Sequence, residues 1–139
     1  MFKKIFNKKK EISNNKNILV AALLIHAAKI DENYSKQEEE IIKQTLLKIG
    51  ANNQNIENII KEGKTIEENA NQILDFTREV KNMDEKNKIK IVETLWQIIY
   101  SNKQADMYET NLMRRLAGLL YIDRKVMGYI KDKIKKENL

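Results

Sequence analysis

The chain has 139 residues and a net charge of +6, with four glycines, no proline and no cysteine. This length suits one domain that buries a core without disulfides, and the scarcity of glycine and proline excludes an all-β fold, whose turns depend on them. The absence of cysteine excludes disulfides, thiolate catalysis and thiolate metal sites.

The N-terminal segment is basic. Residues 1–17 carry six lysines and one glutamate, whereas residues 18–123 carry 14 basic and 17 acidic residues. We interpret residues 1–16 as a basic N-terminal arm and residues 17–139 as a single helical domain. The mildly acidic body argues against a nucleic-acid-binding face. The arm lacks the apolar region of a secretory signal, and no apolar run is long enough to span a membrane, so we expect a cytoplasmic protein.

The arm itself has an amphipathic pattern. Phe2, Ile5 and Phe6 recur at helical spacing on the side opposite the lysines. This pattern indicates a short helix that contacts an anionic membrane weakly and reversibly, because its apolar area is small. Such contact would make the protein peripheral to the inner membrane. The alternative is a frayed, solvated tail.

About seven helices follow, at residues 18–30, 35–49, 53–63, 66–82, 85–101, 107–120 and 124–136. Three of them begin with capping-box spacing, and the predicted N-caps are Ser35, Thr65 and Asp106. Asp84 and Asp123 are the predicted N-caps of the fifth and seventh helices. Gly50 stands where a left-handed cap would end the second helix. These signals predict an all-α fold.

Two of the helices are apolar on nearly every face. They are the first helix, over residues 18–25, and the fifth helix, over residues 89–99. A helix that is apolar all round is a buried one. We therefore expect these two helices at the centre, with Trp96 as a core residue, and we predict the following residues to be buried: Leu24, Ile25, Leu95, Trp96 and Ile99.

The chain also contains an internal repeat at an offset of 71 residues, which pairs Asp31 with Asn102 and Glu38 with Glu109. In both copies an apolar helix ends at an Asp or Asn, and a capping box opens an amphipathic helix after a short link. The repeat predicts two helical hairpins packed with pseudo-twofold symmetry around the central helices.

The order of these motifs is similar to that of a known family. An acidic hairpin spans residues 21–40, a Phe-Thr pair follows at 76–77, and the strongest similarity lies in residues 95–120. Together they resemble the tellurite-resistance TerB-like family over residues 18–136, and more distantly the N-terminal domain of the DjlA membrane co-chaperone. The resemblance implies a helical module tied to tellurite resistance and stress response that acts through protein partners, including membrane-associated ones.

The acidic turns are the candidate metal site. Asp31, Glu38, Asn102 and Glu109 would supply oxygen ligands for Ca²⁺ or Mg²⁺ if the two hairpins converge. The family pattern has an acid at the end of each central helix, but here the second is an amide followed by Lys103. Metal binding is therefore expected to be weak or absent, and no other cofactor is expected. The alternative is that these residues only cap helices and shape turns.

An EF-hand is excluded at the first acidic turn. Asp31 and Ser35 match the start of an EF-hand loop, but Lys36 occupies the glycine position and Ile42 the position of the bidentate glutamate. The turn therefore offers single oxygen ligands rather than a complete calcium loop.

No catalytic machinery is visible. His26 is the sole histidine, so neither a triad nor a zinc set can form, and we expect it to be a hydrogen-bonded residue at the edge of the core. The lysines at 131–136 are expected to complement a helix dipole rather than contact nucleic acid. We expect a non-enzymatic interaction module. A divalent-metal sensor and a peripheral membrane adaptor are the alternatives.

Overall fold

The computed structural model describes residues 2–29, 35–70, 74–101 and 107–137. These ranges contain seven helices and no strand, which confirms the predicted all-α fold. The helices are α1 (Phe2–Lys29), α2 (Lys36–Lys48), α3 (Ile56–Asn69), α4 (Leu74–Val80), α5 (Glu85–Ser101), α6 (Met107–Leu119) and α7 (Arg124–Glu137).

Helices α1 and α5 form the centre of the core. The second half of α1 packs against α2, α3, α4 and α5, and α5 also packs against α2 and α7. Every residue predicted to be buried in these helices is at most 2% exposed, which confirms the prediction: Leu24, Ile25, Leu95, Trp96 and Ile99. A buried hydrogen bond of 2.5 Å between Thr45 Oγ1 and Thr94 Oγ1 links α2 to α5.

Helix α3 approaches α1 closely at Gly63. A Cβ atom on Gly63 would lie 2.9 Å from Ala21 Cβ and 3.2 Å from the backbone nitrogen of Ala22. Carbon atoms in favourable contact are about 3.5–4.0 Å apart, so only glycine allows this approach.

Three helices differ clearly from the sequence prediction, and one of them is α4, which spans Leu74–Val80 rather than residues 66–82. Helix α1 begins at Phe2 rather than at residue 18, so the segment predicted as an arm is helical and continuous with the central helix. Helix α3 continues through Thr65 to Asn69, so the predicted helix start at Thr65 is wrong. The Thr65 hydroxyl donates to the carbonyl of Lys61 at 3.2 Å, because a threonine inside a helix can bond the preceding turn instead of capping a new one. The division into arm and domain stays a prediction.

The other predicted caps in the described ranges are confirmed. Ser35 and Glu38 form a reciprocal capping box at the start of α2. The Asp84 side chain accepts a hydrogen bond from the backbone of Asn87 at 2.8 Å, and the Asp123 side chain accepts one from Lys125 at 2.8 Å. The predicted cap at Asp106 lies outside the described residues.

Helices α2 and α6 end in the same backbone motif. After α2, Ala51 N donates to Leu46 O at 2.9 Å across Gly50, whose φ is +122°. After α6, Ile122 N donates to Ala117 O at 3.0 Å across Tyr121, whose φ is +55°. These are the bonds of a Schellman cap.

The two caps lie at equivalent places in the predicted repeat. Helices α2 and α6 have 13 residues each and begin at positions 36 and 107, an offset of 71. The superposition of the two hairpins stays a prediction.

Candidate functional site

The structure describes the side chain of only one of the four predicted metal ligands, Glu38. Asp31 and Asn102 lie outside the described residues, and for Glu109 the description covers the backbone in α6. The convergence of the two acidic turns therefore stays a prediction.

Glu38 has a structural role at the start of α2. Its side chain is buried, and its Oε1 accepts hydrogen bonds from Ser35 N at 3.1 Å and from Ser35 Oγ at 3.0 Å. In return, Ser35 Oγ accepts a bond from Glu38 N at 3.1 Å. The cap accounts for the position of this carboxylate without a metal. Within residues 2–29, 35–70, 74–101 and 107–137, no three His, Asp or Glu side chains cluster as metal ligands would.

His26 is held by hydrogen bonding at the edge of the core, as predicted. Its Nδ1 lies 3.2 Å from Glu67 Oε1, and Lys29 Nζ donates to Glu67 Oε2 at 2.8 Å. The His26 ring also contacts Phe76, with 6.1 Å between ring centroids. The Glu67 side chain is 11% exposed, so its carboxylate ties α1 to α3 through two partners at once.

A cavity that the sequence analysis missed lies at α5, α6 and α7. Its volume is about 430 Å³. We call it the basic cavity, and it is lined by Trp96 from α5, by Met113, Arg114 and Ala117 from α6, and by Arg124, Met127, Gly128 and Lys131 from α7. The α7 residues lie at i, i+3, i+4 and i+7, the spacing of one helix face. That spacing in residues 124–131 was the signal that could have revealed the site.

The floor of the basic cavity is apolar. Trp96, Met113 and Met127 are all buried. Tyr100 stacks against Trp96 with 5.7 Å between ring centroids, and burial, assisted by the nearby charge of Asp132, raises the pKa of Tyr100 above its usual value. Tyr100 is therefore neutral at pH 7. The floor is the Trp96 ring beside two methionines, which adapt readily to the shape of a bound group.

The walls of the basic cavity are positively charged. Arg114 and Arg124 are exposed, and Lys131 Nζ lies 5.4 Å from the centroid of the Trp96 ring, a cation–π distance. In the described part of the chain, none of these three cations forms an ion pair with an acidic side chain. Their charge is therefore not neutralised by the described fold.

A second, smaller cavity of about 340 Å³ lies at α4 and α6. Gly118 and Tyr121 line it from the end of α6, and Lys81 Nζ lies 5.8 Å from the centroid of the Tyr121 ring.

For the arm residues that were predicted to contact a membrane, the structure describes only the backbone. Phe2, Ile5 and Phe6 belong to α1, and their side chains lie outside the description. Across the helices that the structure describes, none has the length and apolar character needed to cross a membrane.

Comparison with protein families yields one match. The family model described as tellurite resistance protein TerB matches residues 17–131, which include the second half of α1, all of α5 and all the residues that line the basic cavity. No curated protein and no solved structure matches the chain.

Proposed function

Because the chain belongs to the tellurite resistance protein TerB family, we propose that it is a non-enzymatic module that contributes to tellurite resistance and stress response by binding a protein partner. The partner lies in the cytoplasm or at the inner membrane. The observation that carries this proposal is the basic cavity, a concave surface that combines an apolar floor with cations that have no acidic partner among the described residues. Apolar concave surfaces with a few convergent polar groups are typical binding sites.

The chemistry of the chain supports a binding role over catalysis. A general base must be positioned beside the proton that it removes. The sole histidine, His26, is instead bonded to Glu67 beside Lys29. The chain has no cysteine that could act as a nucleophile or reduce tellurite. We therefore assign binding to the cavity and a structural role to the His26 contact.

The experiment is a tellurite challenge of cells in which this chain is the source of tolerance. Gly128→Leu places a side chain in the basic cavity, and we expect it to lower the tolerated tellurite concentration. Gly118→Leu is the matched control, because neither glycine has an atom within 4 Å of the position that a Cβ would take. Thermal unfolding of both variants separates loss of binding from loss of folding.

Two results would contradict the proposal. Equal tolerance with Gly128→Leu and with the unaltered chain would show that the basic cavity does not serve this function. Equal tolerance in cells that lack the chain altogether would remove the link to tellurite. A photo-reactive phenylalanine analogue in place of Gly128 should also cross-link to a partner in these cells, whereas the same analogue in place of Glu62 on α3 should not.

A second candidate function is that of a peripheral membrane adaptor. The observation that favours it is the continuity of α1 from Phe2, since an amphipathic helix needs an ordered backbone to present Phe2, Ile5 and Phe6 on one side. Removal of residues 1–12 should leave the fold intact and abolish sedimentation with anionic vesicles. Equal sedimentation with and without these residues would rule out this function. The metal-sensor alternative is less favoured, because Glu38 already serves as part of a cap.

A further inference from the structure

We propose that the basic cavity binds an acidic segment of a partner protein, in which one apolar side chain is flanked by Asp or Glu residues. This inference rests on the proposed function, and it adds the chemistry of the partner. The apolar side chain would enter the cavity, whose lining includes the half-buried Gly128 and the buried Met127, Met113 and Trp96. The flanking carboxylates would bind the cations on the walls.

The charge of the cavity selects an anionic partner. Arg114 lies on α6, whereas Arg124 and Lys131 lie on one face of α7, so the cations of the cavity come from two helices. A guanidinium binds a carboxylate through two parallel hydrogen bonds, which gives direction as well as charge. Two arginines on different helices therefore suit a partner segment that carries more than one carboxylate.

The floor of the cavity selects a partner that also has an apolar side chain. Met113 and Met127 come from different helices and line the cavity together with Trp96, which is 2% exposed. A volume of about 430 Å³ lies near the lower end of the usual range for ligand pockets, roughly 300–1,000 Å³. This is room for one or two side chains of a peptide.

The same features disfavour nucleic acid. Proteins that bind single strands stack bases on exposed aromatic rings along a basic groove. Trp96 is buried, with Tyr100 against its ring at 5.7 Å and Lys131 Nζ at 5.4 Å from its centroid. No face of this ring is open enough for a base to stack on it, so the aromatic group serves as a floor.

The first test uses the intrinsic fluorescence of Trp96, which is the sole tryptophan of the chain. The probe is a synthetic peptide with one leucine between two pairs of glutamates, which contains no fluorophore. We expect the Trp96 emission to change as the peptide concentration rises and to reach saturation. A peptide with glutamine in place of glutamate, and one with serine in place of leucine, should each bind at least about tenfold more weakly, since both the charge and the apolar contact contribute.

Charge reversal provides the matched pair of variants. Arg114→Glu with Arg124→Glu reverses two cations of the cavity, and Arg115→Glu with Lys125→Glu reverses their exposed sequence neighbours, which do not line it. Both pairs change the net charge equally. The first pair should weaken binding of the glutamate peptide at least about tenfold, and the second should leave it within about twofold.

Filling the cavity gives a test that does not depend on charge. Gly128→Leu should abolish the fluorescence response to the peptide, and Gly118→Leu should preserve it. Circular dichroism and thermal unfolding identify any variant that fails to fold. If the Gly128 variant does not fold, the charge-reversal pair decides the question.

Several outcomes would overturn the inference. They are the absence of any response to the glutamate peptide, equal weakening by both charge-reversal pairs, and tighter binding of oligothymidylate or of free glutarate than of the peptide. Self-association detected by light scattering and abolished by the Arg114 and Arg124 changes would replace the partner with a second copy of this chain.

Cross-linking at position 128 to a neutral partner segment would refute this inference while supporting the proposed function. The absence of cross-linking there would refute the proposed function itself.

Discussion

The two halves of the molecule pack their helices in different ways. Helix α3 packs on α1 at Gly63, where a Cβ would meet Ala21 at 2.9 Å, whereas Gly128 of α7 has no atom within 4 Å of its Cβ position. At the closed interface, between α1 and α3, a glycine lets the two backbones approach. At the open interface, α7 has space beside Gly128, and this space is part of the basic cavity. The comparison shows that a packed helix can leave a cavity beside it without a change of fold.

The pairing of surface charges also differs between the two halves. Lys43 and Lys64 pair with Glu57 and Glu39 at 2.7 Å and 2.8 Å, which links α2 to α3 through two ion pairs. Arg114 and Arg124, on α6 and α7, form no such pair with any described residue. Exposed pairs contribute about 1 kcal/mol or less each, so their main effect is to neutralise one surface and leave the other positive.

The largest expected effect tests whether the two halves share one core. Leu24 and Leu95 are both fully buried, and the predicted repeat pairs them in the two central helices. Leu24→Ala and Leu95→Ala should each lower the free energy of unfolding by about 2–5 kcal/mol, since each leaves a cavity. Urea unfolding measures both. A loss below about 1 kcal/mol in either variant would show that its half is loosely packed.

The next effect separates the closed interface from the open one. Gly63→Ala should lower the free energy of unfolding by about 1–3 kcal/mol, because the added Cβ forces α3 away from α1. Gly128→Ala should raise it by about 0.5–1 kcal/mol, because alanine favours the helix and meets no atom. The two substitutions are chemically identical, so each is the control of the other. Equal effects of the same sign would contradict the comparison.

A smaller effect is expected at the ends of α2 and α6. Gly50→Ala should cost about 1–2 kcal/mol, since a side chain at φ +122° is strained. Tyr121→Gly should change stability by less than about 1 kcal/mol, because relief of the strain at φ +55° is offset by the flexibility of glycine in the unfolded chain. The cap of α6 also receives a bond from the buried Lys88, whose Nζ donates to Leu120 O at 3.1 Å. Thermal unfolding of both variants checks this contrast.

The smallest expected effect concerns metal at the acidic turns. We expect the unaltered chain to bind Ca²⁺ in the millimolar range or not at all, because affinity rises with the number of charged ligands and the second turn has Asn102 beside Lys103. Asn102→Asp with Lys103→Gly should strengthen binding, and adding Asp31→Ala should abolish it. Calorimetry measures these three proteins and the single variant Asp31→Ala. Micromolar binding by the unaltered chain that survives Asp31→Ala would place the site elsewhere.

The sequence predictions were correct where the residues of a single helix determine the feature. The all-round apolar patterns of α1 and α5 predicted the core, and the spacing of Ser35 and Glu38 predicted a cap that is observed. It was wrong at Thr65, where the same spacing occurs inside α3. A capping pattern states what a hydroxyl can bond and not whether the helix is interrupted, and the packing of Gly63 against α1 holds the helix through that point.

The amino-acid sequence alone determined the helical class, the two central helices and most of the helix ends, because periodicity and caps act within a few residues along the chain. Tertiary structure decided which helix faces pack closely against a neighbouring helix and which leave space beside them. Arg114 and Arg124 are ordinary surface cations in the sequence. They line a cavity only because α6 and α7 place them beside Trp96 of α5. The spacing within α7 shows which of its residues share a face, but it does not encode the space between three helices.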